Sequence, residues 1–250
     1  MNTDSEGNLA LYTSASANGR PGWVEHFESQ LKDHPAAKSY PFASVDPSTG
    51  APKVRYVVHR ALTPHSSILL FTSDIRMNKV NHLEKSPLAE SSFWIDETGV
   101  QFRIAGKAYV VPPDADKSDS SRTAAQGIIE SMGTQGDEKT VDWWIEERER
   151  NWRDGISGHL RATFARPKPG TPLDQCHVKP EDWTETIKPD GHTDEQKEEI
   201  ARAKSHFTLV ALAPETVEML ELKVVPNRRT VWTRRDEAGE IKWDVQAVVP

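Results

Sequence analysis

The first periodic pattern of apolar and polar positions begins at Gly22 and has the spacing of an α-helix. One face of this predicted helix carries residues three and four positions apart, namely Trp23, Phe27, Gln30 and Leu31. The pattern ends before Pro35, because proline disfavours helical geometry in the residue that precedes it. Residues 1–20 are polar and rich in Ser, Asn and Gly, so we expect a flexible arm there.

Short apolar runs bounded by turn-forming residues follow the helix, and they have the composition of β-strands. They predict strands at residues 39–46, 52–62, 67–72, 89–96, 99–111, 206–213, 218–224, 229–233 and 241–248. Residues 46–50 and 97–99 supply the Pro or Gly that hairpin loops need. Such short connections favour antiparallel pairing, since parallel strands need longer crossovers. The pattern therefore predicts a mainly β protein with added helices, built on an antiparallel barrel.

Helices and loops interrupt the strand pattern in the middle of the chain. The predicted helical segments are residues 76–84, 122–132 and 141–154. Residues 166–193 hold five prolines, which indicates an extended excursion and not a packed element. Because strands resume afterwards, we predict a single domain over residues 21–250 with a helix and loop insertion at about residues 114–204.

Composition narrows the class of protein. Lys and Arg total 31 against 38 Asp and Glu, a formal net charge of −7, which argues against general binding to nucleic acid or acidic lipid. The longest aliphatic run, residues 209–213, is too short to cross a bilayer. Cys176 is the single cysteine, which excludes an internal disulfide. The N-terminal residues lack the apolar region of a signal peptide, so we expect a cytoplasmic protein that does not bind membranes.

Several motifs of common enzyme classes are absent from the sequence. It contains no G-x-G-x-x-G dinucleotide motif, no Walker phosphate loop and no G-x-S-x-G nucleophile elbow. The nine histidines are scattered and form no H-E-x-x-H pair, so we expect no metal site. Any functional site must therefore be of a kind other than these nucleotide, nucleophile or metal sites.

Cations recur on the predicted strands. Arg55 and Arg60 lie in the 52–62 strand with opposite parity, so they point to opposite faces unless a bulge intervenes. Gln101 and Arg103 share one face of a later strand. Each segment by itself is also typical of a solvated strand face, so the signal lies in their combination.

Arg76 and Lys79 lie at the start of the predicted 76–84 helix, for which Ser73 or Asp74 would be the N-cap. A helix N-terminus offers unpaired N–H groups and a partial positive charge. Cations beside it would complete an anion site. This segment therefore predicts a place for an anionic group.

Taken in order, these segments are similar to those of a known family. The matching segments are residues 42–46, 52–60, Phe71-Thr72, Lys79, 101–106, 228–232, Trp243 and Pro250. They resemble the FMN-binding split-barrel family of pyridoxamine 5′-phosphate oxidase-like proteins. Residues 152–153 and 160–170 resemble an insertion in its flavin-oxidase-like branch. The resemblance implies a split β-barrel of Greek-key type, a homodimer, and FMN in a groove between the two subunits.

The resemblance also implies a set of site residues. Those expected to contact FMN are Arg55, Tyr56, Val57, Val58, Arg60, Phe71, Thr72, Lys79, Gln101 and Arg229. Arg55 and Lys79 would hold the phosphate, and Arg matches its oxygens with paired hydrogen bonds. Arg161, within the insertion, is predicted to bind an acidic small-molecule substrate. No catalytic residue is assigned, because the flavin itself carries the redox chemistry.

The sequence departs from the oxidase pattern at two places. Asn78 stands where an arginine is usual, and residues 225–227 lack the Arg-x-His pair for the vitamin phosphate. FMN binding therefore has more support than the vitamin substrate. A non-catalytic barrel that binds FMN or another small ligand stays open as the alternative.

A third hypothesis, a structural protein with an anion or RNA patch, depends on four arginines near the C-terminus. These are Arg228, Arg229, Arg234 and Arg235. Alternate residues of a strand face opposite ways and the whole chain is acidic, so this hypothesis is disfavoured.

Overall fold

The computed structural model describes residues 20–115, 117–237 and 240–250, and within these ranges eight strands form one antiparallel sheet. The strands are β1 Ser39–Val45, β2 Pro52–Leu62, β3 Leu69–Asp74, β4 Leu88–Ile95, β5 Val100–Val110, β6 Phe207–Glu221, β7 Arg228–Glu237 and β8 Glu240–Val248. Their order is β3-β2-β1-β4-β5-β6-β7-β8, and β3 also pairs with β6. That last pairing closes the first six strands into a barrel, which confirms the predicted split-barrel class. The predicted arm lies outside the described residues except for Arg20.

Strand β6 is continuous, so the prediction of two strands at 206–213 and 218–224 is wrong. Its first half pairs with β3 and its second half pairs with β7, while β5 runs along its whole length. Pro214 lies opposite Gly106 and Thr216 lies opposite Ala105, which leaves Glu215 as an extra residue. Proline is tolerated at such a bulge, because the ladder there does not need its missing N–H.

Gly106 allows the close approach of β5 and β6 at this bulge. A Cβ atom on Gly106 would lie 2.1 Å from the carbonyl oxygen of Ala213 and 2.9 Å from the Glu215 nitrogen. Backbone atoms cannot move aside as a side chain can, so the strands would have to separate. The glycine at this position is thus required by the barrel.

We expect Gly106→Ala to destabilise the fold by about 1–3 kcal/mol, the usual cost of overpacking. Urea unfolding measures the effect. Gly127→Ala is the matched control, because a Cβ on Gly127 would meet no atom within 4 Å and alanine favours the helix that holds it. Equal stability of the two variants would contradict this interpretation of the bulge.

Aromatic side chains fill the barrel, and helix α1, Gly22–Asp33, closes one end of it. The predicted start and end of this helix are confirmed. Phe27 of α1 meets Phe93 and Phe102 edge-on, with ring centroids 4.8 and 5.3 Å apart. Burial of such large apolar side chains is the main stabilising contribution to the barrel.

The other helices are α2 Asn78–Lys85, α3 Asp119–Ser131, α4 Val141–Arg150, α5 Gly158–Ala165 and α6 Asp194–His206. Helices α3 to α6 lie in the insertion between β5 and β6, and α4 continues into a π-helical turn at Asn151–Gly155. They cover the outer face of β3 and of the first half of β6, where Leu70, Leu209 and Ala211 join a second apolar core with Trp144. Within the described ranges, no helix combines the length and apolarity that crossing a membrane requires.

The segment 166–193 is more ordered than predicted. It contains two short 3₁₀ turns, Leu173–Gln175 and Pro180–Asp182, and Ile187 is buried in the second core. The expectation of an unpacked excursion is therefore wrong for part of this segment. Its prolines set the turns, and one apolar side chain anchors it.

Candidate functional site

Arg55 on β2 is held at one end of the barrel by three oxygen atoms. Its Nη1 donates to the Phe42 carbonyl at 3.3 Å, the Ser44 hydroxyl at 2.8 Å and the Lys53 carbonyl at 2.8 Å. The guanidinium carbon also lies 5.9 Å from the centre of the Phe42 ring. All three hydrogen bonds come from one nitrogen, so Nε and Nη2 keep their donors for another acceptor. Ser44 was not predicted, because only the β1–β2 register shows that it lies near Arg55.

Lys79, in the first turn of α2, is buried beside Arg55, with 9% of its surface exposed. Burial and the positive charge of Arg55 together lower the pKa of Lys79 to about 8, against the opposing effect of Asp74. Within the described ranges no carboxylate lies at ion-pairing distance from either cation. Two neighbouring cations without a counter-ion make a site for an anion.

Asp74 does not balance this pair, because its carboxylate is engaged by Arg76. Arg76 donates its Nε to Oδ1 at 3.0 Å and its Nη2 to Oδ2 at 2.6 Å. The backbone N–H of Arg76 also reaches Oδ1, at 2.8 Å. Asp74 is thus the partner of Arg76 and not a helix cap.

The prediction that Ser73 or Asp74 caps helix α2 is therefore wrong. Helix α2 starts at Asn78, its N-cap position is Met77, and no side chain caps it. The helix N-terminus consequently adds its partial positive charge near Lys79. As predicted, a cation lies at the start of a helix, although the helix begins two residues later than predicted.

Arg60 and Thr72 meet at the seam between β2 and β3. Arg60 Nη2 lies 3.4 Å from the Thr72 hydroxyl, and a register shift between His59 and Ala61 supplies the bulge that the sequence left open. Burial lowers the pKa of Arg60, and its Nε is shielded from solvent with no acceptor among the described residues. This nitrogen is an unsatisfied buried donor at the seam.

Two residues predicted to line the site have their side chains in the barrel core. Val57 and Phe71 are buried, and the Phe71 ring lies 4.8 Å from that of Phe42. They can contact a ligand only through their backbone groups. Tyr56 and Val58, which alternate with Val57 on β2, point outward and are 73% and 40% exposed.

Gln101 and Arg229 lie elsewhere on the sheet. Gln101 Nε2 donates to the Ser92 hydroxyl at 3.3 Å. Arg229 donates Nε and Nη2 to one oxygen of Glu218 at 3.0 and 2.7 Å, and Arg103 binds the same oxygen. Counted around the closed barrel, β5 and β7 are each three strands from β2. One copy of the chain therefore does not bring these residues to Arg55 and Lys79.

Arg161, predicted to bind the substrate, is held by backbone carbonyl groups of the insertion. Arg161 is only 7% exposed. Its Nε donates to the Ile187 carbonyl at 2.8 Å, and its Nη1 donates to the carbonyls of Trp152, Ile156 and Arg153 at 2.8, 2.8 and 3.2 Å. These carbonyls terminate the π-helical turn and fix the following loop. Arg161 is a structural residue that joins three segments of the insertion.

Comparisons with known proteins agree with this architecture. Residues 20–112 match the family model described as "Pyridoxamine 5'-phosphate oxidase, FMN-binding domain". The chain is 24% identical over 222 residues to pyridoxine/pyridoxamine 5′-phosphate oxidase 2 of Arabidopsis thaliana, covering 88% of this chain and 92% of the plant protein.

Solved structures share the fold. A pyridoxamine 5′-phosphate oxidase-related, FMN-binding protein of Nostoc punctiforme superposes with a TM-score of 0.63 at 23% identity, covering 92% of this chain and 96% of that one. PhzG of Burkholderia lata, solved with tetrahydrophenazine-1-carboxylic acid, gives a TM-score of 0.53 at 14% identity and covers 91% of each chain.

The closed six-stranded antiparallel barrel with flanking helices is a split barrel. Residues 20–112 thus resemble the FMN-binding domain of pyridoxamine 5′-phosphate oxidases, and the chain shares the split-barrel fold of a protein related to them.

Proposed function

We propose that this protein binds FMN and acts as an FMN-dependent oxidoreductase on a small molecule. The observation that carries the proposal is the buried pair Arg55 and Lys79, which has no counter-ion among the described residues. A phosphate monoester carries between about one and a half and two negative charges near neutral pH, so it would neutralise this pair.

Other residues of β2 and β3 would hold the rest of the cofactor. Arg60 supplies a cation and Thr72 a hydroxyl at the β2–β3 seam. Tyr56 and Val58 give an exposed apolar face on β2. When bound, FMN would accept hydride from a substrate carbon and pass the electrons to an acceptor. These residues would hold and orient it.

The visible spectrum of the purified protein tests FMN binding, together with mass spectrometry of the small molecule that heat releases. We expect a yellow protein that releases FMN. A colourless protein that does not take up added FMN would overturn the proposal. Reduction kinetics then test the enzyme role, because FMN that no organic donor reduces would indicate the alternative of a non-catalytic binding protein.

The exposed outer face of the barrel supports a homodimer. Val54 and Tyr56 on β2 are 70% and 73% exposed, and Trp94 on β4 lies on the same outer face. Exposed apolar side chains grouped on one face mark interaction surfaces. A second copy on this face would bring its own Gln101 and Arg229, which one copy keeps far from its phosphate site.

We expect Tyr56→Asp to shift the protein from dimer to monomer, because a charge would be buried in the contact. Sedimentation velocity over a range of concentrations measures the shift. Leu173→Asp is the matched control, since Leu173 is 65% exposed but lies in the insertion. A wild-type protein that sediments as a monomer while holding FMN tightly would contradict the dimer.

Pyridoxamine 5′-phosphate is not the substrate that this proposal favours. We expect its oxygen-dependent turnover, followed as peroxide and pyridoxal phosphate, to stay below about 1 per second. Asn227 stands in the segment where the oxidases carry Arg-x-His, and its amide donates to the Leu222 carbonyl at 2.9 Å. The nearby Arg229 is already paired with Glu218. Faster turnover would show that another cation binds the vitamin phosphate.

A further inference from the structure

A cation-lined cavity lies where the insertion meets the turn after β3. Its volume is about 450 Å³, within the range of small-molecule sites. Arg76 and His206 line it on the barrel side, Arg166 and Trp183 belong to the loop after α5, and Arg202 projects from α6. Neither Arg55 nor Lys79 lines it, so the cavity is separate from the proposed FMN phosphate site.

Hydrogen bonds between the barrel and the insertion hold the cavity wall. The Arg76 Nη1 donates to the Arg166 carbonyl at 3.1 Å, and the Nδ1 of His206 bonds the Phe164 carbonyl at 2.7 Å. The Ile75 N–H donates to the His206 carbonyl at 2.8 Å. Such a wall is formed before any ligand arrives, which lowers the ordering cost of binding.

The charge of Arg166 is not balanced by a carboxylate within the described ranges. Its Nη2 donates to the Thr184 carbonyl at 3.3 Å, while its Nε is shielded from solvent and has no acceptor among the described residues. A guanidinium that lines a cavity without a carboxylate partner favours an anionic ligand there. The Arg166 guanidinium also lies 5.6 Å from the centre of the Trp183 ring.

The other arginines of the cavity have carboxylate partners, and one carboxylate also lines the cavity. Arg76 is paired with Asp74, and Arg202 lies 3.8 Å from Glu199. Asp182 also lines the cavity and would oppose an anion. Arg166 therefore supplies the main unbalanced charge, and Arg202 adds a partly balanced one.

We propose that this cavity binds a small organic anion, a carboxylate or a phosphate monoester on a flat apolar body. The anionic group would bond Arg166. The flat body would lie against Trp183 and the apolar wall formed by Ala165, Pro167 and Val178. The inference does not depend on FMN binding, because it uses none of the residues that would hold FMN.

Titration calorimetry of the full chain with 1-naphthoate, 1-naphthyl phosphate and the uncharged 1-naphthylmethanol tests the proposal. We expect at least one anion to bind about tenfold or more tightly than the alcohol, and the comparison of the two anions tells carboxylate from phosphate. The titration is repeated with FMN saturating and in Arg55→Gln. Binding that FMN abolishes, or that Arg55→Gln weakens, would place the probes in the FMN site and overturn the inference.

Three variants locate the probes. Arg166→Gln should weaken anion binding about tenfold, and the surface change Arg202→Gln, which leaves the buried wall intact, should weaken it severalfold. Asp182→Asn should strengthen it, because it removes the opposing charge. Arg153→Gln is the control, since Arg153 pairs with Asp190 on the same insertion but does not line the cavity. Anion affinity that none of the three changes shifts would overturn the proposal.

Discussion

Lys79→Gln is expected to weaken FMN binding roughly tenfold to a hundredfold and to leave riboflavin binding nearly unchanged. The variant removes charge-assisted hydrogen bonds to the phosphate, which are worth about 1.5–3 kcal/mol. Riboflavin has no phosphate, so Lys79 contributes little to its binding. Arg55→Gln should behave in the same way, with the loss of packing on the Phe42 ring as an added effect. Flavin fluorescence titration of the apoprotein measures both affinities.

Lys85→Gln is the matched control for this experiment. Lys85 is an exposed lysine in the last turn of the same helix, so its replacement changes the net charge equally but does not touch the site. Thermal unfolding of each apoprotein separates loss of affinity from loss of fold. If Lys79→Gln weakened riboflavin and FMN equally, its role would be packing and not phosphate binding.

The same pair predicts a pH dependence of FMN affinity. Burial and the neighbouring Arg55 lower the pKa of Lys79 to about 8, so its ammonium is charged below that pH and neutral above it. Bound phosphate stabilises the charged form. FMN affinity should therefore fall as pH rises above about 8, by at most tenfold per pH unit. Lys79→Gln should remove this dependence, and a wild-type affinity that is constant between pH 7 and 9.5 would contradict it.

Several strand and helix positions followed from the sequence where one face is buried. Helix α1 shows its apolar face at Trp23, Phe27 and Leu31, and both of its ends were predicted. Helix α6 was missed because Ala203 is its only fully buried residue, so it has no apolar stripe to detect. Its capping box of Thr193 and Gln196 was a signal that could have revealed it.

The chemistry of the site could be predicted only where it lies close in sequence. Lys79 at a helix start pointed to an anion site without knowledge of the fold. The ion-pair partners of the predicted arginines could not be predicted from the sequence. The pairing of Arg229 with Glu218, for example, depends on the β6–β7 register. Val57 and Phe71 were assigned to the cofactor groove by resemblance, yet their side chains fill the core. Family patterns identify positions and do not distinguish backbone contacts from side-chain contacts.

Arg161 shows this limit of sequence analysis most clearly. A cation in an insertion is easily interpreted as a ligand-binding residue when its hydrogen-bond acceptors are unknown. Four carbonyl oxygens from Trp152, Arg153, Ile156 and Ile187 converge on it. These positions are up to 26 residues away from it along the chain. No local pattern encodes that convergence. A buried guanidinium with these acceptors on its Nε and Nη1 stabilises the insertion.

We therefore expect Arg161→Met to destabilise the protein by about 3 kcal/mol or more. Methionine nearly fills the volume but leaves several buried carbonyls without a donor, each at a cost of about 1–3 kcal/mol. Arg153→Met is the matched control, because Arg153 makes an exposed ion pair with Asp190 worth at most about 1 kcal/mol. Urea unfolding measures both variants, and FMN affinity below the transition should be unchanged in each. A stable Arg161→Met variant with a weakened small-molecule substrate would restore the substrate role that the sequence suggested.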